Sequence, residues 1–562
     1  MNGVIRVALG QLNFTVGDIE GNAARAIDAI RESNERGAQA LVLPELALTG
    51  YPPEDLVLKS GFVPANRRAL ENLATHTGEL LTVIGFVDSD DKHLYNAAAI
   101  CHAGEIKAVY RKQLLPNYGV FDERRYFEPG DRHTLIDTAH GVIGVCVCED
   151  IWSPTGPAIS QGDAGAQIVL NINASPFHKG KLNERALMLG ERAKRAGASI
   201  VYVNLIGGQD ELVFDGGSLV IDSTGQLAVR LPQFEERLEV VDVPLGEDRS
   251  TRSDGADRLT LSLREAGGST DANLVASPLN ESEEIYGALE LALRDYTTKN
   301  GFGRVALGLS GGIDSTLVAT ICADALGPEN VLGVAMPSEF STSHSLDDAQ
   351  QLADNLGIKL HTIAIKSAYH SFLDALRDSF GDEEPGLAEE NLQARIRGTL
   401  LMTISNRYGN LIITTGNKSE SAVGYATLYG DMAGGFALIR DLFKHEVYAL
   451  CHWRNTVSPV IPENVLTKAP SAELRPDQKD EDSLPPYDLL DPILEAYIER
   501  DEGFDEIVAA GFDEQVVMDV IALVDRAEYK RRQAPPGPKV TVKSFGRDRR
   551  LPITNRWRTK NS

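Results

Sequence analysis

The chain has 562 residues, of which 43% are hydrophobic and 6% aromatic, and its formal net charge is −26 at pH 7. It is too long for one ordinary core, so we expect two domains of about 250–290 residues, and the composition is that of a globular and not a disordered protein. The negative charge argues against a nucleic-acid partner or an anionic membrane partner.

The start of the chain and the cysteines indicate a cytoplasmic protein. Residues 1–11 read as a first strand and lack the cleavage site of a signal peptide. No run of about 18 apolar residues predicts a transmembrane helix. The cysteines are odd in number, which does not suit a disulfide framework, and no paired CxxC motifs predict a structural zinc site. They are Cys101, Cys146, Cys148, Cys322 and Cys451.

The first half of the chain reads as a layered α/β domain, which we place at residues 1–246. Short runs of Val, Ile, Leu and Ala alternate with helical segments and turns marked by Gly or Pro. The clearest predicted strands are 40–43, 80–87, 142–148, 168–172 and 199–205. The sequence then turns polar, and we predict a linker at 247–282.

A second α/β pattern fills residues 283–562. It begins with a predicted helix, Glu283–Asn300, and continues with strands that alternate with helical segments. The predicted strands are 304–309, 331–336, 358–365 and 410–416. This alternation is typical of a doubly wound parallel sheet.

Three chemically complementary residues follow predicted strands of the first half. Glu45, Lys112 and Cys148 each stand at a strand end, where functional side chains often converge. A lysine lowers the pKa of a nearby thiol and stabilises an oxyanion, while a carboxylate transfers the proton. The set therefore suits acyl transfer through a thioester. Cys148, at the turn, is the better nucleophile candidate, and we interpret Cys146 as a core residue.

The sequence around these residues resembles the amidase domains of the nitrilase superfamily. The matching segments are PELALTGYP (44–52), YRKQLLPNYGVFDERRYF (110–127) and GVCVCEDIW (144–152). The resemblance implies an α-β-β-α sandwich in which Glu45 is the general base, Lys112 the cation and Cys148 the nucleophile. It also implies that glutamine is bound by Tyr118, Ser175 and Lys181. Glu123 resembles a second acidic residue of that family, although an ordinary charged loop is an equal interpretation.

A phosphate-binding loop is predicted in the second half. Strand 304–309 runs into SGGIDST (310–316) and then into a helix, so free N–H groups and the helix dipole face the loop. The lysine of a P-loop is missing. The loop resembles that of the ATP pyrophosphatase family (adenine nucleotide alpha hydrolase-like), which splits ATP into AMP and pyrophosphate. That resemblance implies ATP contacts from Gly308, Leu309, Ser310, Gly311, Gly312, Ile313, Asp314 and Ser315, and the resemblance of the downstream segments given next adds Thr415.

Four downstream segments resemble the synthetase domain of NAD+ synthetases. They are ENLQARIRG (390–398), ITTGNKSE (413–420), YGD (429–431) and LIRDLFKHEVY (438–448). The resemblance implies that deamido-NAD+ is contacted by Asn391, Glu420 and Lys530, and that Mg²⁺ is held by Asp314 and Glu420.

Two further segments of the second half are noteworthy. Residues 466–488 form a long polar loop, which in a compact domain is usually a lid or disordered. In the NAD+ synthetase family, the corresponding loop covers the active site. From Arg526 to Ser562 there are twelve Lys or Arg but only two acidic residues, Glu528 and Asp548. This basic tail is either a solvated terminus or an anion site for a phosphorylated ligand.

Together the two halves resemble glutamine-dependent NAD+ synthetases, which are ATP-consuming ligases. The implied reaction uses glutamine, ATP and Mg²⁺ to convert deamido-NAD+ into NAD+, and we expect a cytoplasmic homo-oligomer. Two alternatives remain: an ATP pyrophosphatase that modifies RNA, and a plain amidohydrolase with a silent second domain. The negative charge disfavours the first alternative, and the intact SGGIDS and GNKSE motifs disfavour the second.

Overall fold

A computed structural model of the chain describes residues 3–247, 256–268, 270, 274–381, 386–476 and 478–557. The chain divides into two compact units. The first contains Met1–Gln209 and Val213–Leu279, and the second contains Asp210–Leu212 and Asn280–Ser562. Parts of three predicted segments lie outside the described residues: 248–255, 269 and 271–273 of the linker, 477 of the long polar loop, and 558–562 of the basic tail.

The elements before the unit boundary are mainly strands. The strands are β1 Val4–Gln11, β2 Ala40–Val42, β3 Leu81–Ser89, β4 Leu94–His102, β5 Glu105–Arg111, β6 His133–Asp137, β7 Val142–Val147, β8 Ile168–Asn173, β9 Ser199–Asn204, β10 Ile206–Gln209, β11 Leu212–Asp215, β12 Leu219–Ile221, β13 Leu227–Arg230, β14 Arg237–Pro244 and β15 Ala256–Thr260. The helices are α1 Ile19–Glu35, α2 Phe62–Ala74, α3 Pro157–Asp163 and α4 Lys181–Ala196.

Two mixed sheets pack face to face in the first unit. One has the strand order β14-β1-β2-β3-β4-β5 and the other β13-β12-β9-β8-β7-β6-β15. A single hydrophobic cluster contains side chains from both sheets, such as Val83 and Ala98 from one and Val145 and Leu170 from the other. Helices α1 and α2 lie against the first sheet, and α3 and α4 lie against the second. The predicted α-β-β-α sandwich is confirmed.

The predicted linker contributes a strand to the first unit. Strand β15 pairs in parallel with β6, in the register Ala256↔His133 to Thr260↔Asp137. Leu261 and Leu263 are buried in the same hydrophobic cluster, and Leu259 packs against it. Leucines at every second position are the pattern of a half-buried strand. The unit boundary itself lies between Leu279 and Asn280.

The second unit contains one parallel sheet surrounded by helices. Its strands are β16 Val305–Gly308, β17 Val331–Ala335, β18 Lys359–Thr362, β19 Leu411–Thr414 and β20 Phe436–Ala437. Its helices are α5 Glu281–Lys299, α6 Ile313–Leu326, α7 Ser343–Leu356, α8 Lys366–Phe380, α9 Leu387–Tyr408, α10 Lys418–Val423, α11 Lys444–Val457, α12 Glu463–Thr467, α13 Tyr487–Ile498, α14 Phe504–Ala509, α15 Glu514–Arg526 and α16 Glu528–Arg531.

The order of the strands predicts that a ligand binds at one edge of this sheet. The order is β18-β17-β16-β19-β20, and the pairings are parallel. The order reverses direction between β16 and β19, and ligands of such sheets bind beyond the carboxyl ends of the strands at the point of reversal. The SGGIDST loop follows β16, and Thr415 follows β19. The predicted doubly wound parallel sheet is confirmed.

Candidate active sites

The three strand-end residues of the first unit meet inside the sandwich. Glu45 follows β2, Lys112 follows β5 and Cys148 follows β7. The Lys112 ammonium lies 2.7 Å from a carboxylate oxygen of Glu45 and 2.8 Å from one of Glu123. All four side chains are buried. The structure therefore brings Glu45 and Lys112 together, with the Cys148 thiol within electrostatic range of both, and it adds Glu123 to the centre.

The charges of this centre stabilise one another. Burial opposes the charged form of Lys112, but Glu123 and Glu45 outweigh that effect and raise the pKa of Lys112 well above its ordinary value. Burial raises the pKa of Glu123 to about 7, against the opposing effect of Lys112. Lys112 therefore keeps its positive charge at neutral pH, while Glu123 is poised to exchange a proton there.

Two hydrogen-bond donors that the sequence analysis missed hold Glu45 in place. The Asn96 side-chain amide donates to one carboxylate oxygen of Glu45 at 2.7 Å, and the Ala174 backbone N–H donates to the other at 2.9 Å. Asn96 is a buried polar residue in the otherwise apolar strand β4, and that contrast was the available signal. A carboxylate fixed in this way is preorganised for proton transfer.

Cys148 occupies a strained turn at the end of β7. Its φ is +42°, a left-handed conformation that a residue with a side chain seldom adopts and that clusters at functional sites. Burial, the largest effect, and the Glu45 charge raise the pKa of the thiol well above its ordinary value, whereas Lys112 lowers it. Without substrate the thiol is therefore protonated, and a base must take its proton during the reaction.

The predicted glutamine residues have different surroundings. Tyr118 is exposed, and its hydroxyl donates to Glu149 at 3.0 Å. Ser175 is buried, and its backbone N–H donates to the Asn204 side chain at 2.9 Å. Lys181 begins α4, with its ammonium 4.1 Å from the centre of the Trp152 ring. Burial raises the pKa of Tyr118 and lowers that of Lys181, and a thiolate at Cys148 would raise both values, so the two side chains lie within electrostatic range of Cys148.

A buried ion pair supports Ser175. The Arg185 guanidinium lies 2.7 Å from Asp215, and both side chains are fully buried. Arg185 also donates to the Ser175 carbonyl at 2.9 Å. This pair is not predictable from the sequence because an arginine on a helix is usually exposed.

In the second unit, the SGGIDST loop has the geometry of an anion site. Gly311 has a φ of +76°, and a Cβ there would come within 2.1 Å of the Ser345 carbonyl oxygen, so this position requires glycine. The Ser310 and Ser315 hydroxyls lie 3.0 Å apart. Helix α6 begins at Ile313, within the SGGIDST segment, and its N-terminal N–H groups face this region.

Two acidic residues and a lysine meet beside this loop. The Lys444 ammonium lies 2.5 Å from Asp314 and 3.6 Å from Glu420, and the Asn417 amide donates to Asp314 at 2.9 Å. Burial, and next the Asp314 charge, raise the pKa of Glu420 to about 8. Lys444 lies in the segment LIRDLFKHEVY (438–448), where no local feature of the sequence marks it as a functional residue. The two predicted metal ligands, Asp314 and Glu420, thus both face the Lys444 ammonium.

A pocket of about 250 Å³ lies between the SGGIDST loop, the end of β19 and the long polar loop. Of the predicted ATP residues, it is lined by Gly308, Leu309, Ser310, Gly312, Ile313 and Thr415. Ser471, Ala472 and Glu473 of the long polar loop also line it. The Ser345 hydroxyl donates to Glu473 at 2.6 Å, close to the start of α7. Described residues of the long polar loop therefore form part of the wall of this pocket.

The predicted dinucleotide residues are partly brought together. Glu420 and Lys530 line a second pocket, of about 40 Å³, whereas Asn391 is not among its lining residues. The Lys530 ammonium donates to the carbonyls of Gly424 and Ala426, at 2.8 Å each. The Asn391 side-chain oxygen accepts a hydrogen bond from the Thr427 hydroxyl at 2.6 Å.

Much of the basic tail is paired within the second unit. Lys539 lies 2.5 Å from Asp548, and Arg531 lies 2.9 Å from Glu528. The backbone of the buried Thr541 donates to Asp441. Among the described residues of this stretch, Arg531, Lys539 and Thr541 are therefore held by contacts within the second unit.

Two absences concern the part of the chain that the structure describes. No group of three or more His, Cys, Asp or Glu side chains there is arranged to hold a metal ion. No helix there is both long enough and apolar enough to cross a membrane.

Comparison with known proteins identifies both halves. Residues 6–253 match the carbon-nitrogen hydrolase family and residues 285–534 match the NAD synthase family. The glutamine-dependent NAD(+) synthetase of Thermotoga maritima is 48% identical over 573 residues, and the alignment covers 99% of each chain. That of Aquifex aeolicus is 44% identical, with 99% of this chain and 100% of the relative covered.

A solved structure agrees with these relatives. The glutamine-dependent NAD+ synthetase of Acinetobacter baumannii, in complex with adenosine diphosphate, superimposes with a TM-score of 0.76 at 41% identity, covering 99% of this chain and 100% of that one. The chain therefore belongs to the glutamine-dependent NAD+ synthetase family.

Proposed function

We propose that the chain converts deamido-NAD+ into NAD+ with glutamine as the nitrogen donor, and that ATP is split into AMP and pyrophosphate. The observation that carries the proposal is the full-length match to glutamine-dependent NAD+ synthetases. The chain also contains the Lys112–Glu45 contact of the first unit and the Lys444–Asp314 contact of the second. This favours NAD+ synthesis over RNA modification and over a plain amidohydrolase.

In the first unit, Glu45 takes the proton of the Cys148 thiol as sulfur attacks the side-chain carbonyl carbon of glutamine. Lys112 stabilises the negative charge that develops on oxygen. Glu45 returns the proton to the departing nitrogen, and ammonia leaves. Water, deprotonated by Glu45, then cleaves the thioester and releases glutamate, which restores the thiol. The 2.7 Å contact between Lys112 and Glu45 supports these roles.

The glutamine itself carries an α-ammonium and an α-carboxylate, and the proposed site offers a group for each. Lys181 is a cation suited to the carboxylate, while Glu149, beside Tyr118, is suited to the ammonium. Burial lowers the pKa of Lys181 and raises that of Glu149, so both groups are partly desolvated at the mouth of the site. Ser175 adds polar contacts that the Arg185–Asp215 pair keeps in place.

In the second unit, we place ATP in the pocket beneath the long polar loop, with its phosphates at the SGGIDST loop. The nicotinate carboxylate of deamido-NAD+ attacks the α-phosphorus, pyrophosphate leaves, and ammonia then displaces AMP from the acyl carbon. Lys444 supports this placement because its ammonium lies beside the loop. We place the dinucleotide near Glu420 and Lys530, which share a pocket.

The donor set beside the SGGIDST loop fits a Mg²⁺ ion. Asp314 and Glu420 offer hard carboxylate oxygens and already converge on a cation, the Lys444 ammonium. These two residues would hold Mg²⁺, and bound Mg²⁺ supplies positive charge that neutralises the phosphate oxygens. Two protein carboxylates leave room for phosphate and water ligands, as Mg²⁺ sites in nucleotide enzymes commonly do.

We further propose a cytoplasmic homo-oligomer. The buried cysteines are unpaired, which suits a reducing compartment. Four apolar side chains on α8 and α9 are exposed to solvent, and contact with a second copy of the chain would bury them. Their exposed fractions are 51% for Phe372, 40% for Phe380, 72% for Leu387 and 38% for Met402. Light scattering of wild type and of Phe372→Glu tests this: the wild type is expected to exceed the 60.9 kDa of one chain, and a monomeric wild type contradicts it.

An omission experiment tests the proposed reaction. The complete mixture of protein, ATP, Mg²⁺, glutamine and deamido-NAD+ should yield NAD+, AMP, pyrophosphate and glutamate. Leaving out glutamine should stop NAD+ formation, and ammonium chloride should restore it. NAD+ formation without ATP, or ADP and orthophosphate as the stoichiometric products, contradicts the proposal.

A further inference from the structure

Asp150 lies two residues after Cys148 and is fully buried, and the reaction described above gives it no task. One of its carboxylate oxygens accepts the backbone N–H groups of Gln113 at 3.1 Å and Leu114 at 2.8 Å. The other accepts the Val147 N–H at 3.1 Å and the Tyr110 hydroxyl at 2.8 Å.

These donors belong to the two segments that carry the lysine and the thiol. Gln113 and Leu114 directly follow Lys112, and Val147 directly precedes Cys148. The strands concerned, β5 and β7, lie in different sheets of the sandwich. A single carboxylate therefore ties the end of one strand to the turn at the end of the other, across the interface between the sheets.

We infer that Asp150 is a positioning residue for glutamine cleavage: it holds the Cys148 turn at a fixed place relative to Lys112. The inference rests on the proposed function of Cys148 as nucleophile. Cys148 needs such support because its φ of +42° is unfavourable and persists only where surrounding contacts enforce it. Among the described residues, the hydrogen-bond partners of the Asp150 carboxylate include neither the Cys148 thiol nor a predicted glutamine residue, so we expect an effect on the rate of reaction and not on substrate binding.

Asp150→Asn is the variant that tests the inference. The amide keeps one acceptor oxygen for Gln113 and Leu114, but it places an NH2 group against the Val147 N–H, so two donors face each other beside the Cys148 turn. Misplacement of a reacting group by about 1 Å costs up to about 100-fold in rate, so we expect glutamine-driven kcat to fall by about 10- to 100-fold. The KM for glutamine should stay near the wild-type value, and alkylation of Cys148 by iodoacetamide should slow.

Asp222→Asn is the matched control. Asp222 belongs to the same unit and also accepts backbone N–H groups, from Thr224 and Gln226, but it lies in the exposed turn between β12 and β13. This variant should keep wild-type glutamine-driven kcat. Both variants should keep ammonium-driven NAD+ synthesis. The wild-type protein tests the proposed function separately. If it does not make NAD+ from glutamine, the proposed function fails; if it does and Asp150→Asn behaves like wild type, only the role of Asp150 fails.

Several results would overturn the inference. Wild-type kcat in a folded Asp150→Asn protein would do so, as would a fall in kcat that matches the unfolded fraction in a thermal melt, or a rise in KM alone. If Asp150→Asn does not fold, Tyr110→Phe gives the test because it removes one of the bonds to Asp150 and leaves its backbone bonds in place. There we expect kcat to fall by about 3-fold, the typical value of one hydrogen bond, and an unchanged kcat would overturn the inference.

Discussion

Replacement of Cys148 by alanine separates the chemistry of the two units. Cys148 makes none of the contacts that hold the centre, since Lys112 is bound by Glu45 and Glu123 and Glu45 is bound by Asn96. The variant should therefore fold, at a cost of about 1 kcal/mol for one buried sulfur atom.

The expected activities of this variant differ sharply between the two nitrogen donors. Without the thiol no thioester forms, and knocked-out nucleophiles in other enzymes cost up to about 10⁶-fold in kcat. We expect glutamine-driven synthesis to fall by about 10⁴- to 10⁶-fold. Ammonium-driven synthesis should remain near wild type, because Asp314, Glu420 and Lys444 are untouched.

Cys146→Ala is the matched control for Cys148→Ala. It removes the same atom two residues earlier, on strand β7, where the sulfur accepts a hydrogen bond from Asn171 at 3.2 Å. Its glutamine-driven rate should stay near wild type. The assay is NAD+ formation by each variant with glutamine and, separately, with ammonium chloride. Loss of both activities in a folded Cys148→Ala protein, or survival of the glutamine-driven one, refutes the role assigned to this thiol.

Three further predictions concern charged and titratable groups. Asp314→Asn should abolish NAD+ synthesis with either nitrogen donor but leave glutamine hydrolysis. NAD+ formation near the wild-type rate would show that Asp314 is not a metal ligand. Lys112→Met leaves Glu45 and Glu123 buried without their cation, so it should destabilise the first unit by about 3–5 kcal/mol in a denaturant melt. An unchanged melting midpoint would contradict a buried, charged centre. Burial raises the pKa of the Cys148 thiol above the ordinary thiol value of 9.0. Without substrate, the rate of Cys148 alkylation should therefore still increase as the pH passes 9.0. A rate that levels off below pH 9.0 would contradict the buried environment of the thiol.

The sequence was most informative where chemistry and strand ends coincide. Glu45, Lys112 and Cys148 were predictable because each stands at the end of a predicted strand, and the SGGIDST loop because it joins a strand to the start of a helix. Parallel strands end at a common edge, so residues far apart in the sequence become neighbours there.

The groups that support these residues were harder to predict. Asn96, Arg185 and Lys444 act through partners between 30 and 130 residues away, and nothing local distinguishes such a residue from a surface one. The strand β15 was missed because its polar neighbours outweighed the alternating leucines at 259, 261 and 263. In both cases tertiary packing, which a local pattern does not contain, decided the outcome.

The central claim is that nitrogen passes from glutamine into NAD+ within this protein. Glutamine labelled with heavy nitrogen at its side-chain amide, supplied with ATP, Mg²⁺ and deamido-NAD+, tests this directly by mass spectrometry of the product. The account predicts that the label appears in the carboxamide of NAD+, with one AMP and one pyrophosphate formed for each NAD+. NAD+ without the label, or labelled ammonia released with no NAD+ formed, would contradict it.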